Sequence, residues 1–399
     1  MHRAAWIGKI IVLTALLSSQ VSGQNWTITG VTVVDLSHGR LLRNVNVTIS
    51  HDRIVAVGNA AGPALVNGTG KYLIPGLWDM HGSRVDADTV GVYLAHGITG
   101  VREMSTQPLD RTLALYHDIE AGRIAGPRLL TAGIGIRAAS PDEARTAFDR
   151  VFDTDADFIR FHKDLDYESY IALAERARKW RYALVGPMPL SVRLRDVLAL
   201  RQASIEGLEG LDRLTRDEAC EGFRSADIAG TWFTPLLASQ MRSGIRSTAR
   251  KAVALVRLMQ ECGAPMLAGG DSAGLIDELE ALVEHAGFTP LDALRTATVE
   301  PARFLGRADK LGEVAPGHLA DLLLLDANPL DDIANLRRVA GVFVRGRYLN
   351  TALLSALRRP PTMRGWPVPV VATRSVPQTP AASSVKPPAS SAKPASPTR

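Results

Sequence analysis

Tyr72-Leu73-Ile74-Pro75-Gly76-Leu77-Trp78-Asp79-Met80-His81 is the stretch on which the reading of this chain turns. Upstream of it, residues 26–74 read as short strands. Thr27 to Val34 alternates β-branched and other residues, Ser37-His38-Gly39 turns the chain, and Val45 to Ile49 and Ile54 to Val57 repeat the pattern around His51-Asp52. Downstream of it, residues 75–310 alternate short apolar runs with amphipathic helices. Ile98 to Glu103, Leu129 to Ile136, Phe158 to Phe161 and Ala183 to Val185 are strand candidates. Asp166 to Trp180 is a helix whose Ile171, Leu173, Ala174 and Ala177 recur at helical spacing. Strand-like runs return at Asp321 to Leu325 and Val339 to Val344. They can pair with the N-terminal strands only if the two ends of the region meet in space.

The ends differ in composition. Residues 1–23 carry Arg3 and Lys9, an apolar run from Ile10 to Leu17, and a small-residue Val21-Ser22-Gly23 site, the pattern of a secretory signal peptide. The run is short for a membrane span, which needs ~20 apolar residues. The tail over 360–399 is rich in Pro, Ala, Ser and Lys, and reads as disordered because it cannot bury enough apolar surface to offset its ordering entropy. The formal charge of +5 resides in these ends; without the bases of 1–23 and 376–399, residues 24–375 are neutral. The basic balance is therefore no sign of nucleic-acid binding. Cys220 and Cys262 are compatible with an oxidising compartment, either paired or free.

The quoted stretch is similar to the first barrel strand of the amidohydrolase superfamily, metal-dependent hydrolases of C–N bonds. Gly97-Ile98-Thr99-Gly100-Val101-Arg102-Glu103-Met104 resembles the second strand, and Ala268-Gly269-Gly270-Asp271-Ser272 the eighth. Leu291-Asp292-Ala293-Leu294-Arg295-Thr296-Ala297-Thr298 through Leu311-Gly312-Glu313-Val314-Ala315-Pro316-Gly317-His318-Leu319-Ala320-Asp321-Leu322 is similar to the closing helix and returning strands. The resemblance covers residues 27–349 and is strongest to imidazolonepropionase-like and Xaa-Pro-dipeptidase-like members. It implies an α/β chain with a (β/α)8 TIM-like barrel over 75–311. A composite β-sandwich would form from 24–74 and 312–359. The active site would lie at the C-terminal strand ends, where divalent cations, zinc in this family, activate water.

Carried over residue by residue, the implied metal ligands are mostly absent. His81 matches the first His of the HxH pair, and Ser83 stands at the second. Arg160 stands where a carboxylated Lys bridges two cations. A guanidinium cannot be deprotonated, so it cannot form that carbamate. A unit charge ~4 Å from a divalent ion repels it by roughly 8 kcal/mol at an effective dielectric constant of about 20. Pro187 and Gly207 stand at the His positions of strands five and six, and Asp271 matches the Asp of strand eight. His81 and Asp271 are thus remnant metal positions, too few for a four-coordinate zinc site, and the expectation is that no metal cofactor binds. A rescue site of His81, His162 and Asp271 is conceivable, since His162 shares the face of Arg160 if that segment is a strand.

Blander roles stand beside these. His81 reads as a satisfied core or rim histidine. Asp271 reads as an acceptor for strand-end amides or a partner of Arg160. Glu206 and Glu209 read as solvated or structural. The other histidines fall in turns, helices or the N-terminal segment, and the chain holds no GxxxxGK[ST] or GxGxxG motif. Three functions remain: a lapsed amidohydrolase that still binds a small-molecule or peptide substrate, a hydrolase using Asp271 as general base, and a protein whose Arg160, beside His162, anchors a small anion.

Overall fold

The computed structural model describes residues 25–59, 66–105, 107–132, 134–271 and 274–358. The N-terminal segment read as a signal peptide and the Pro/Ala/Ser-rich tail lie outside the described residues.

Five strands come first: β1 (Asn25–Asp35), β2 (Arg40–Ser50), β3 (Arg53–Gly58), β4 (Val66–Asn67) and β5 (Tyr72–Pro75). The alternating region supplies seven parallel-paired strands: β6 (Leu77–Gly82), β7 (Ile98–Glu103), β8 (Arg128–Leu130), β9 (Ile159–Arg160), β10 (Leu184–Gly186), β11 (Ser204–Glu206) and β12 (Trp232–Thr234). Then β13 (Leu322–Leu325), β14 (Val339–Val344) and β15 (Arg347–Asn350) complete the set.

Both ends of this region meet in one sheet of order β15-β14-β13-β5-β1-β2-β3, with β4 on β1. The contact is β13 antiparallel to β5, with Leu323 opposite Ile74. The four leucines of β13 explain themselves by alternation. Leu322 and Leu324 face the sheet's own core with Trp26, Ile28 and Phe343, while Leu323 and Leu325 face the core of the helical region. The sheet curls until β3 reaches the segment ahead of β13, where the Ile54 amide donates to the His318 carbonyl at 2.9 Å. In hydrogen-bond terms the composite region is one curled sheet.

The parallel strands form two groups, β6-β7-β8 and β9-β10-β11-β12. Backbone bonds span both gaps. The Ile136 amide donates to the Arg160 carbonyl at 2.7 Å, between β8 and β9. On the other side, Leu267 N donates to Phe233 O at 2.8 Å and Met80 N to Ala268 O at 3.0 Å. The eighth strand position of the sequence is thus a bridging segment. The run Leu129 to Ile136, expected as one strand, is instead the short β8 and an isolated bridge at Ile136. Gly135 lies so close to His162 that an added Cβ would sit 3.0 Å from the imidazole, and the chain bends there rather than extending.

Helices connect the strands: α1 (Val90–Ala95), α2 (Leu109–Glu120), α3 (Pro141–Phe152), α4 (Tyr167–Trp180), α5 (Leu194–Ala199), α6 (Arg216–Ala229), α7 (Leu237–Arg242), α8 (Arg246–Glu261), α9 (Leu275–Ala286), α10 (Pro290–Thr296), α11 (Val299–Phe304) and α12 (Thr351–Leu357). The helix expected from Asp166 is α4, with the Asp166 carboxylate capping the Ser169 amide and with Leu173, Ala174 and Ala177 buried. Strand–helix alternation with a separate sheet is a TIM-barrel-type α/β fold. Among the described residues no helix is long and apolar enough to cross a membrane.

Cys220 in α6 and Cys262 at the end of α8 form a disulfide, with Cα atoms 5.2 Å apart across 42 residues of sequence. Closing a loop of that length constrains the unfolded chain by about 4 kcal/mol. The Cys220→Ser/Cys262→Ser variant should lose roughly 3 to 4 kcal/mol against wild type in urea unfolding under non-reducing conditions. An unchanged midpoint would place the disulfide outside the cooperative core.

Candidate functional site

The C-terminal ends of β6, β7 and β11 bring His81, Arg102 and Glu206 together. β6 carries an irregularity there: Asp79 pairs with Val101 but Gly82 with Glu103, so one extra residue sits on β6. Such a bulge breaks strict alternation and re-aims side chains. Met80 stays in an interior apolar cluster with Trp78, Trp232 and Leu267. His81 turns its Nδ1 to Glu206 Oε2 at 2.7 Å. Asp79 turns away, its Oδ1 accepting the His81 amide at 2.9 Å and the Gly270 amide at 2.8 Å.

The centre of the cluster is Arg102, which is 1% exposed. Its Nη2 donates to Glu206 Oε1 at 2.6 Å, its Nη1 to Ser204 Oγ at 2.8 Å and its Nε to the Met80 carbonyl at 2.7 Å. Its guanidinium carbon lies 5.3 Å from the Phe304 ring centroid and 5.9 Å from that of Phe158. Ser204 Oγ adds a 2.5 Å bond to Glu206 Oε1. Burial pushes the Glu206 carboxyl up, but Arg102 first, then His81 and Ser204, outweigh it and hold it down at about 2. Glu206 is therefore an acceptor, and His81 Nδ1 carries the proton between them. A carboxylate oriented on the imidazole is also how metal-binding histidines are held.

The residues around His81 do not complete a metal site. Ser83 is half-buried on the loop after β6, and Pro187 carries no donor. Gly207 follows β11 with φ +79°, a left-handed backbone in which a histidine would be strained. Arg160, half-buried, donates from Nη1 to the Ser105 carbonyl at 2.6 Å. Burial lowers the Arg160 pKa, opposed first by the charge of Glu103, then by that of Glu206; Asp271 contributes less. Two fixed guanidinium charges, Arg102 and Arg160, thus serve the carboxylates that a cation would otherwise engage. Among the described residues no three His, Cys, Asp or Glu side chains stand together as a metal-binding group. The donor set does not fit a catalytic divalent ion.

His162 is not on the strand with Arg160. It follows the end of β9, half-buried, its Nδ1 3.3 Å from the Arg137 guanidinium. Burial lowers its pKa, with Arg137 and Arg160 adding to the effect. Asp271 sits in a left-handed backbone, φ +40°, its amide donating to the His81 carbonyl at 2.9 Å, and it lines a cavity with Asp79 and Tyr93. The trio of His81, His162 and Asp271 is therefore divided: His81 serves the buried ion pair, His162 the Arg137 rim, and Asp271 the cavity. Glu209 is exposed and pairs with Lys163 at 3.1 Å, whereas Glu206 is buried. Arg102 and Ser204 were missed because a lone Arg and a Ser within strand-like runs carry no spacing signal. The odd feature was an Arg at an interior position of a β-strand otherwise built of Ile, Thr, Gly, Val and a terminal Glu.

A second set of acids lies buried behind β6. Glu278 of α9 accepts the Leu237 amide at 2.9 Å and the Ala238 amide at 2.6 Å, capping the start of α7. Burial pushes Glu278 up to about 7, with Asp79 and Asp271 adding to the rise. Burial also raises Asp79, against the two amides it accepts. Glu103, fully buried, has Oε1 on the Ser105 amide at 2.6 Å and Oε2 with no hydrogen-bond partner among the described residues. Burial raises its pKa as well.

Breaking the central pair should be costly in one direction only. Arg102→Met leaves Glu206 buried without its cation and should destabilise by ~3–5 kcal/mol in urea unfolding, whereas Arg102→Met/Glu206→Gln should recover part of that loss. Glu278 sets a pH dependence. Its folded pKa lies above the unfolded one, so the folded state holds the extra proton, and stability falls as pH rises from the ordinary glutamate range through about 7. The Glu278→Gln variant should remove a loss on the order of 3 kcal/mol across that window. Thermal melts of both proteins from acidic to mildly alkaline pH read this out, and parallel profiles would refute it.

A model of the amidohydrolase family matches residues 224–349. Adenine deaminase 3 of Rhizobium meliloti (strain 1021) is 25% identical over 369 residues, covering 79% of this chain and 56% of that protein. The adenine deaminase of Deinococcus deserti is 34% identical over 142 residues, 34% of this chain and 23% of its own length. The chain spans about half the length of the long curated matches. Among solved structures, a prolidase-like protein from Bifidobacterium longum superposes with a TM-score of 0.70 at 25% identity, covering 84% of this chain and 98% of that one. A Xaa-Pro dipeptidase with bound methionine gives 0.71 at 20% identity, covering 82% and 100%, a likeness of fold. Members of the family hydrolyse C–N bonds and are typically metal-dependent. The ordered strand motifs from Tyr72 to Leu322, the family match over residues 224–349 and the structural overlap all tie this chain by similarity to the amidohydrolase superfamily.

Proposed function

We propose that this chain is a secreted or periplasmic amidohydrolase-fold protein that has lost metal-dependent hydrolysis and acts as a small-molecule binding or regulatory protein. The carrying observation is the buried Arg102–Glu206–His81 cluster, in which a guanidinium already engages the carboxylate that orients His81. In this reading β6 to β12 and the 265–271 segment form one closed eight-stranded barrel, and its mouth keeps a ligand pocket without its catalytic ions. The Cys220–Cys262 disulfide supports an oxidising compartment, as does the composition of residues 1–23.

The two other readings fare less well on geometry. As a general base, Asp271 would need a substrate proton within hydrogen-bond reach at the mouth, yet it lines a cavity beside α1 and α9. As an anion anchor, Arg160 would have to exchange the nearby charges of Glu103 and Glu206 for those of a ligand.

Metal analysis is the test. Protein purified from zinc-supplemented cultures and dialysed should contain far less than one equivalent of zinc per chain, and should hydrolyse acyl-proline dipeptides and adenine no faster than a heat-denatured control. Stoichiometric zinc removable by a chelator, with loss of a measured hydrolysis, would overturn the proposal.

A further inference from the structure

A cavity of about 470 Å³ opens between α1 and α9, on the outer side of β6. That volume lies in the range of small-molecule sites. Val92, Tyr93, Ile98, Leu275 and Ile276 give it apolar walls, and Asp79 and Asp271 line it as well. Asp79 is 2% exposed. Its Oδ1 is taken by the His81 and Gly270 amides, while Oδ2 accepts no hydrogen bond from any described residue. A carboxylate oxygen left this way is costly unless something cationic or protonated meets it.

The cations along the cavity are engaged or peripheral. Arg337 binds Glu280 and Asp277, at 2.7 and 2.5 Å. His96 directs Nδ1 to the Val92 carbonyl at 2.9 Å, and burial lowers its pKa, which favours the neutral ring. Arg84 is exposed. At the inner wall the balance is acidic, since Glu278 lies within electrostatic reach of both Asp79 and Asp271.

We propose that this cavity is a binding site for a small organic cation, a primary ammonium on a short apolar chain. The ammonium would meet Asp79 Oδ2, with Asp271 adding negative potential, and the chain would lie against Val92, Leu275 and Ile276. The cavity shares Asp271 with the strand-eight position, and ammonium binding is read out separately from zinc content.

Titration calorimetry with n-butylammonium above neutral pH, with n-butanol and potassium chloride as comparators, tests it. Expected is saturable binding of the ammonium and weaker or no binding of the other two. Asp79→Asn, checked for folding by circular dichroism, should weaken the ammonium roughly 10- to 100-fold, as for a lost hydrogen bond to a charged group. Val92→Trp fills the cavity without touching the acids and should abolish binding, so it decides the matter if Asp79→Asn does not fold. No saturable binding of the ammonium, equal affinity for n-butanol, or undiminished binding by the folded Asp79→Asn or by Val92→Trp would each overturn the proposal.

Discussion

The guanidinium of Arg102 against the carboxylate of Glu206 is the interaction on which the interior of this protein depends. Both groups are buried, and an ion pair out of water holds only if nearly every lone pair and proton is satisfied. Here the surroundings comply: Ser204 and His81 serve the carboxylate, and the Met80 carbonyl serves the guanidinium. The constraint runs outward through the backbone. Met80 O is fixed by Arg102, Met80 N binds Ala268 O, and His81 O receives the Asp271 amide. One buried charge pair thus ties β6, β7, β11 and the 265–271 segment to a common geometry.

That geometry is hard to reconcile with catalytic cations. An amidohydrolase centre needs imidazoles and carboxylates converging with their charges unspent. In this chain the imidazole of His81 orients on a carboxylate already neutralised by arginine. The position after β11 is a left-handed glycine, so one ligand could not be restored by a single substitution without backbone strain. Asp271 lines a cavity with Asp79, and the buried Glu278 lies within electrostatic reach of both. The conserved-looking frame and the altered interior are compatible because one fold carries many chemistries.

Much of the frame was legible in the sequence. Period-two and period-3.6 patterns located β1, β7 and α4 closely, and the pairing of the terminal strands followed from two remote apolar runs, joined as Leu323 against Ile74. The short strands were less legible. β9 holds only Ile159 and Arg160, too few residues to show a period, and β8 ends before Gly135 can be read as a bend. In the site, His81, Arg160 and Asp271 were picked by correspondence of motifs, but their grouping was not. The bulge in β6 shifts its side-chain alternation by one residue, and such a shift leaves no mark in composition. Glu206 reads as solvated or structural from the helix-start context of Leu208-Glu209-Gly210-Leu211, and its pairing with Arg102, 104 residues away, is a tertiary fact.

The most direct measurement is proton exchange at the Arg102 side chain, followed by ¹⁵N NMR with zinc present and absent. A guanidinium locked against Glu206, Ser204 and Met80 should give a slowly exchanging Nε–H resonance that does not move when zinc is added. Exchange as fast as that of exposed arginines, or a stoichiometric zinc-induced shift, would mean that the interior is open to solvent and metal and that a filled cation site is the wrong picture.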